Sequence, residues 1–275
     1  MLADYLDLLL YSHISPIASS CRDNRILLDR YMNYTPFSLC PFDADLSEAL
    51  ILRGCHPLPR RRCFSQTPLK PLLSSAYSCK SFTCLNQFNN NTKFLTPKSS
   101  LDLTIPQLLQ SAKSSSSVIR LAVDVGGGTG TFGATMKLYN VTVVTTTMNL
   151  AGAPNNEVVA LRGIVPLHVP LQQRFPIFDG VVDLVRCGHG VNRWIPIVAM
   201  EFLFYDVDRV LRGGGYFWLD HFFCKEVDFE RVFAPLIGKL GYKKVKWAIE
   251  NKTNSRGLKN REVYLTALLQ KPVGK

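Results

Sequence analysis

From residue 118 onward, the chain alternates between two patterns of apolar and polar positions, one typical of buried strands and one typical of helices. Near-continuous apolar runs such as VIRLAVDV (118–125) and GVVDLVRC (180–187) predict strands covered on both faces. The longer stretch WIPIVAMEFLFYDVDRVLR (194–212) has apolar residues at helical spacing, with Pro196 in the first turn, where proline is tolerated. Strands that alternate with helices predict a parallel sheet with right-handed crossovers.

The rest of this region gives the same kind of signal. Further strands are predicted at 141–148, 164–170, 214–220, 242–250 and 262–271. The last two are separated by a polar loop and are predicted to pair antiparallel. Helices are predicted at 132–139 and 226–241, the second restarting at Pro235 and stopping at Gly241.

The N-terminal part of the chain differs in composition and in predicted secondary structure. Residues 1–116 contain proline-rich turns and polar tracts, with helices predicted only at 46–52 and within 101–113. The serine-rich stretch SAKSSSS (111–117) has the composition of a linker. We therefore expect an irregular N-terminal extension, 1–116, followed by an α/β domain, 117–275.

The net positive charge of the chain favours anionic partners. The 275 residues carry a formal net charge of +11, and no acidic residue lies between Arg53 and Lys98. Nucleic acid is not expected, because the basic residues are not interleaved with aromatic residues and no nucleic-acid-binding motif is present. The PRRR stretch (59–62) suits an anionic chain such as an acidic polysaccharide, or a solvated basic turn.

The cysteines leave the compartment open. Six of the eight lie before residue 100: Cys21, Cys40, Cys55, Cys63, Cys79 and Cys84. Disulfides and free thiols are both possible for them, and no metal site is expected because CxxC spacing is absent. N-x-S/T sequons add slight weight to a lumenal location. No transmembrane helix is predicted, since the apolar run YLDLLLYSHI (5–14) is too short to span a bilayer.

The stretch LAVDVGGGTGTFG (121–133) places a glycine-rich turn between the first predicted strand and helix, where open α/β sheets bind ligands. A phosphate-binding P-loop is excluded, because Thr131 follows the last glycine of the cluster instead of Lys-Ser/Thr. A dinucleotide GxGxxG register survives at Gly128, Gly130 and Gly133. It begins late after the strand, and no acid follows the second strand to hold a ribose.

A third alignment starts at Asp124 and gives D-x-G-x-G-x-G. It resembles motif I of class I S-adenosylmethionine-dependent methyltransferases. The segments FPIFDGVVDLVRCGHG (175–190) and DRVLRGGGYFWLD (208–220) resemble the same superfamily's fourth-strand region and its turn into strand five. The resemblance implies a Rossmann-like, seven-stranded, mostly parallel sheet with the last strand antiparallel and helices on both faces.

The resemblance also implies S-adenosylmethionine as the cofactor. Its expected contacts are Asp124, Gly126, Gly127, Gly128, Gly130, Asn149 and Gln172. An acid at the first strand end can hold the cofactor's ammonium. Asn149 and Gln172 stand where many relatives carry acids, and they would make weaker, neutral hydrogen bonds.

Four segments show a closer resemblance: ALILRGCHPLPRRRCF, VTTTMNL, VPLHVPLQQR and LVRCGHGVNRWIP. They are similar to a plant group of Golgi-type methyltransferases, distantly akin to enzymes implicated in methylating pectic homogalacturonan. This resemblance implies a cell-wall polysaccharide carboxylate as acceptor and a Golgi lumenal or membrane-associated location. A cytoplasmic location stays open.

Candidate bases follow strands four and five. His189 in the CGHG sequence, and Asp220 with His221, lie where acceptor and cofactor are expected to meet. Imidazole titrates near neutral pH and suits a general base, whereas a carboxylate acceptor needs none. Two other hypotheses remain: a non-catalytic binding protein on the same fold and, on the GxGxxG register, a nicotinamide-dependent dehydrogenase.

Overall fold

The computed structural model describes residues 21–41, 43–53, 55, 58–64, 94–147, 155–169, 171, 173–188, 190–252 and 261–274. The chain divides into two compact units. The first contains the described residues up to 64, together with 171, 173 and 174. The second contains the remainder, including the helix that precedes the first strand of the sheet. The domain boundary expected near residue 116 stays a prediction.

The first unit is built on two short helices, α1 (Arg25–Tyr31) and α2 (Ala44–Leu52). The second contains the predicted helix 46–52. The buried apolar cluster of the first unit consists of Tyr31, Leu50 and Cys55.

Two disulfides connect Cys21 with Cys55 and Cys40 with Cys63. The second fastens a short ladder in which Leu39 pairs with Phe64. Four of the six early cysteines are therefore paired, while Cys79 and Cys84 lie outside the described residues. Such a small cluster gains stability from these cross-links, because they restrict the unfolded chain.

The second unit is a seven-stranded sheet in the order β3-β2-β1-β4-β5-β7-β6. The strands are β1 (Leu121–Val125), β2 (Thr142–Thr146), β3 (Val165–Leu167), β4 (Val182–Cys187), β5 (Leu211–Lys225), β6 (Lys243–Asn251) and β7 (Glu262–Gln270). The first five pair in parallel, and β7 lies antiparallel between β5 and β6. The predicted mostly parallel sheet with a reversed last strand is confirmed.

One helix precedes these strands and the others connect them. They are α3 (Ile105–Ser114), α4 (Thr131–Lys137), α5 (Asn155–Leu161), α6 (Ile197–Val210), α7 (Glu226–Asp228) and α8 (Ala234–Lys239). A π-helical turn, Phe229–Phe233, joins the last two, so the helix restarts next to Pro235 as expected. Pro196 was expected inside the first turn of α6. It caps that helix instead, because its ψ of 140° is extended.

The local sequence accounts for α3. Thr104 accepts a hydrogen bond from the backbone N–H of Gln107, whose side chain accepts one from Thr104 N. This capping box satisfies two donors at the helix start. Ile105, Leu108 and Ala112 are buried on one face, against the cluster that contains the sheet residues Tyr216 and Trp218.

The carboxyl ends of β1, β2, β4 and β5 lie along one edge of the sheet. Ligands of open α/β sheets bind at such an edge. Among the helices that the structure describes, none has both the length and the apolar composition to cross a membrane.

Candidate active site

The glycine loop between β1 and α4 has an unusual backbone. Gly126, Gly128 and Gly130 have φ angles of 67°, 57° and 76°, in the left-handed region that glycine adopts without strain. A Cβ added at Gly126 or Gly128 would meet nothing within 4 Å. The backbone at these two glycines is therefore open, and a ligand can approach it closely.

Several hydrogen bonds hold this loop in place. The backbone N–H groups of Gly126 and Gly127 donate to Thr146 at the end of β2, to its Oγ1 and its carbonyl oxygen, both at 3.0 Å. Arg162, buried after α5, donates to the carbonyl oxygen of Thr129 at 2.7 Å. These hydrogen bonds to β2 and to Arg162 fix the conformation of the loop.

Asp124 lies directly beneath the loop. Its side chain is completely buried, and a Cβ on Gly127 would overlap its carboxylate. Its Oδ1 accepts a hydrogen bond from Nη1 of Arg186 at 2.5 Å. In this structure Asp124 supports the loop from below, and direct contact with the ammonium of a cofactor stays a prediction.

Strand register brings Arg186 to this position. Asp124 is the register partner of Arg186 in β4, and Arg186 is the register partner of Trp218 in β5, so all three side chains lie on one face. The guanidinium carbon lies 4.9 Å from the ring centroids of Phe94 and Phe132 and 5.5 Å from that of Trp218. Rings at these distances attract a cation through their faces.

Arg186 also reaches Asp220, which lies inside β5. Its Nε donates to Oδ2 of Asp220 at 3.1 Å, and its Nη2 donates to the same oxygen. Burial opposes the charged guanidinium, but Asp124 and Asp220 outweigh that effect and raise the pKa of Arg186. The arginine is therefore a fixed cation shared by two carboxylates.

Asp220 continues the connection to His221. Its Oδ1 lies 2.7 Å from Nδ1 of His221. Burial raises the pKa of the Asp220 carboxyl, but the charge of Arg186 and the bond to His221 outweigh it and hold that pKa well below the usual range.

His221 occupies an irregular point of β5. Its φ is 55°, rare for a non-glycine residue, and the register with β7 shifts between Leu219 and Phe222. Its Nε2 faces Oδ1 of Asp102 at 3.5 Å. We refer to Asp102, Asp124, Arg186, Asp220 and His221 as the charge cluster.

The sequence placed Asp124 at the end of the first strand, and it placed Asp220 and His221 after strand five. The second prediction is wrong, because β5 continues past both residues to Lys225 in order to pair with β7. The sequence did not single out Arg186 or Asp102. The missed signal was an arginine inside the apolar run GVVDLVRC. A buried strand tolerates such a charge only when it is paired. Asn149, Gln172 and His189 lie outside the described residues, so their roles stay predictions.

A second group of charges lies at the same edge of the sheet. Glu262, at the start of β7, pairs with Arg193 at 2.7 Å and with Lys252 at 2.8 Å. The guanidinium carbon of Arg193 lies 4.0 Å from the ring centroid of Trp194, whose side chain is 71% exposed. We call Arg193, Trp194, Lys252 and Glu262 the cationic patch.

Comparison with known proteins identifies the family. Residues 86–234 match the family described as "Putative S-adenosyl-L-methionine-dependent methyltransferase". A relative from Arabidopsis thaliana, described as "Probable methyltransferase", is 63% identical over 98% of this chain and 75% of its own length. The chain belongs to this methyltransferase family. It is a methyltransferase whose cofactor is S-adenosylmethionine, as the glycine motif predicts.

Solved methyltransferases resemble the chain more distantly. A geranyl diphosphate methyltransferase in complex with GPP and sinefungin is 11% identical over 55% of this chain and 71% of its own, with a TM-score of 0.43. A methyltransferase from Methanosarcina mazei is 12% identical over 56% of this chain and 93% of its own, with a TM-score of 0.42.

The residues of this methyltransferase fit its cofactor. The loop gives open backbone at Gly126 and Gly128, and Thr131 stands where a phosphate-binding loop would have lysine. The charge cluster holds more carboxylates than permanent cations, which suits a ligand with a positive sulfonium and an ammonium. Bound S-adenosylmethionine supplies the activated methyl group. The protein supplies alignment and electrostatics.

Proposed function

We propose that this methyltransferase esterifies a carboxylate of an acidic cell-wall polysaccharide. The observation that carries this proposal is the position of the His221 imidazole. Nδ1 faces Asp220 at 2.7 Å and Nε2 faces Asp102 at 3.5 Å, so both ring nitrogens are directed at carboxylates. A ring held this way turns neither nitrogen toward an acceptor hydroxyl or amine, so it is poorly placed to act as its base.

An acceptor carboxylate needs no base, because it is already ionised near neutral pH. An alcohol or amine acceptor would require proton removal during transfer. Asp220 and His221 then have an electrostatic role in place of the general-base role first considered for them. That His189 acts as a base stays a prediction. An alcohol acceptor would require such a base.

The cationic patch supports an anionic sugar. Arg193 and Lys252 share the single carboxylate of Glu262, which leaves one positive charge in excess. The exposed ring of Trp194 offers a flat face to the apolar side of a sugar ring, and a guanidinium can pair with its carboxylate. Within PRRR, however, Arg61 is engaged by Asp43 at 2.6 Å, which leaves Arg60 and Arg62 for such a chain.

The two disulfides of the first unit also support an acceptor outside the cytosol, since such bonds persist in oxidising compartments.

The whole proposal can be tested with polygalacturonate and its carboxyl-reduced counterpart as acceptors. We expect transfer of label from S-adenosylmethionine to the first only, and release of the label as methanol in mild alkali. An alkali-stable product, or equal transfer to the reduced polymer, would rule out a carboxylate acceptor.

Removal of the Trp194 ring tests the proposed acceptor surface. The Trp194→Ala variant should raise KM for polygalacturonate roughly fivefold with little change in kcat, because about 1 kcal/mol of ring contact is lost. Phe178→Ala is a matched control, because Phe178 is 87% exposed and precedes β4, toward the opposite edge of the sheet. An unchanged KM in Trp194→Ala would remove the tryptophan from the acceptor site.

A further inference from the structure

One N-x-S/T sequon of the chain lies at the turn between α4 and β2. It consists of Asn140, Val141 and Thr142. Asn140 and Thr142 are exposed, whereas Val141 is buried in the core of the second unit. The valine therefore anchors the turn, and the two residues that define an N-glycosylation acceptor both face solvent.

The turn itself has the conformation of a helix C-terminus. The N–H of Asn140 donates to the carbonyl oxygen of Lys137 at 3.1 Å, and that of Val141 donates to Met136 at 3.3 Å. These two bonds form a Schellman motif, and Asn140 occupies its left-handed position with a φ of 57°. Asparagine suits that position, so the turn alone accounts for an asparagine there. It does not account for the hydroxyl of Thr142, which takes no part in these two bonds.

The other sequons are less well supported. They begin at Asn33, Asn90 and Asn251. The second lies wholly outside the described residues, and the third lies there in part. In the first, Pro36 follows the threonine and restricts its backbone. The sequon at Asn140 is therefore the one that carries the inference.

The surface beside Asn140 has room for a sugar. A cleft of about 360 Å³ lies between α4 and the amino ends of β2 and β3, and its lining includes Lys137, Asn140, Thr142 and Val165. Two apolar side chains near it, Leu138 and Val165, are 79% and 51% exposed. A glycan is bulky and solubilising, so it would cover this apolar surface.

A glycan at this turn would leave the active site accessible. Asn140 precedes the amino end of β2, whereas Thr146 at the carboxyl end accepts a hydrogen bond from the cofactor loop at Gly126. Strands rise about 3.3 Å per residue, so the two ends of β2 lie about 13 Å apart. The modified turn and the cofactor loop therefore lie at opposite edges of the sheet.

We propose that Asn140 carries an N-linked glycan. The two disulfides of the first unit favour an oxidising compartment, and N-glycans are attached in such a compartment. The donor is an oligosaccharide linked to a lipid diphosphate, transferred by the host's oligosaccharide transferase. Nδ2 of Asn140 bonds to C1 of the first N-acetylglucosamine and loses one proton. The bond between C1 and the diphosphate oxygen breaks, and the lipid diphosphate leaves.

The inference is tested on the full chain, directed by a cleavable leader into the secretory pathway of cultured eukaryotic cells. The purified protein is treated with peptide N-glycosidase in heavy-oxygen water and digested with trypsin. The peptide 138–162 contains this sequon and no other. We expect Asn140 to be converted to aspartate that carries the heavy oxygen.

Two substitutions of Thr142 separate glycosylation from the structural role of the turn. Thr142→Val keeps the β-branched shape that suits a strand but removes the hydroxyl, so the label should be lost. Thr142→Ser keeps the hydroxyl, so the label should remain. Asn140→Gly keeps the left-handed turn without the acceptor amide, and it should also lose the label.

Cofactor affinity provides a second measurement. Calorimetric titration with S-adenosylmethionine should give the same dissociation constant before and after removal of the glycan, and a change would contradict its placement away from the cofactor loop. An unmodified Asn140 in the folded, secreted protein, or a label that persists in Thr142→Val, would overturn the inference. Neither result would affect the proposed acceptor, which is tested separately with polygalacturonate.

Discussion

Individual residues in this enzyme have roles that their positions in the sequence indicate only in part. Asp124 was recognisable from its distance to the first glycine, and the structure places it at the expected strand end. Its partner Arg186 could not be deduced, because the pairing of the two residues depends on the register between two parallel strands that lie far apart in the chain. A local pattern identifies the charged residue, whereas its counter-charge depends on tertiary structure.

The link between Asp220 and Arg186 should make stability depend on acid. Because folding depresses the pKa of Asp220, its stabilising contribution is present above about pH 4 and is lost as the pH falls through its folded value. Asp220→Asn should reduce the free energy of unfolding at pH 7 by about 3–5 kcal/mol, since it leaves a buried charge partly uncompensated. Urea unfolding at pH 7 and at successively lower pH measures both effects.

Asp179→Asn is the matched control for this prediction. Asp179 also pairs with an arginine, Arg209, at 2.7 Å, but its side chain is 68% exposed. Exposed pairs contribute at most about 1 kcal/mol. Equal losses in the two variants would show that the buried pair has no special weight.

At the scale of elements, the pattern of apolar positions predicted every strand of the sheet. β5 extends beyond its predicted end because it continues past His221 to pair with β7. Helix α5 was not predicted: its sequence NNEVVAL is short and carries only two buried residues, Val158 and Val159. Its helical form depends on packing that a short window of sequence does not contain.

The capping box of α3 provides a prediction at this scale. Thr104→Ala should lower the free energy of unfolding by about 1 kcal/mol, because the N–H of Gln107 loses its acceptor. Ser114→Ala, at the exposed end of the same helix, should change it by less than about 0.5 kcal/mol. Urea unfolding compares the two, and equal effects would contradict a role for the cap.

At the scale of the whole molecule, the cysteines divide between the two units. The sequence left disulfides and free thiols open, since pairing depends on Cα distances that only the fold provides. The structure pairs Cys21 with Cys55 and Cys40 with Cys63. Cys187 and Cys224 are buried free thiols in the sheet of the second unit.

This division predicts a distinct labelling pattern. Burial raises the pKa of the Cys187 thiol, and it raises that of Cys224 to about 12, so neither forms the reactive thiolate at neutral pH. A non-reducing peptide map of native protein treated with iodoacetamide should show the two disulfide-linked pairs and unmodified Cys187 and Cys224. Both thiols should be labelled after denaturation. Rapid native labelling of Cys187 would contradict the burial described.

The central claim is that the glycine loop above Asp124 holds S-adenosylmethionine. The most direct measurement is calorimetric titration of the wild type, Gly127→Ala and Gly238→Ala with this cofactor. A Cβ at Gly127 would lie 2.8 Å from Cγ of Asp124 and 2.5 Å from Cγ2 of Thr145, whereas one at Gly238 meets nothing within 4 Å. We predict saturable one-site binding to the wild type and Gly238→Ala, and at least about tenfold weaker binding to folded Gly127→Ala. Equal affinity in all three proteins, or no binding to well-folded wild type at about millimolar cofactor, would contradict the account.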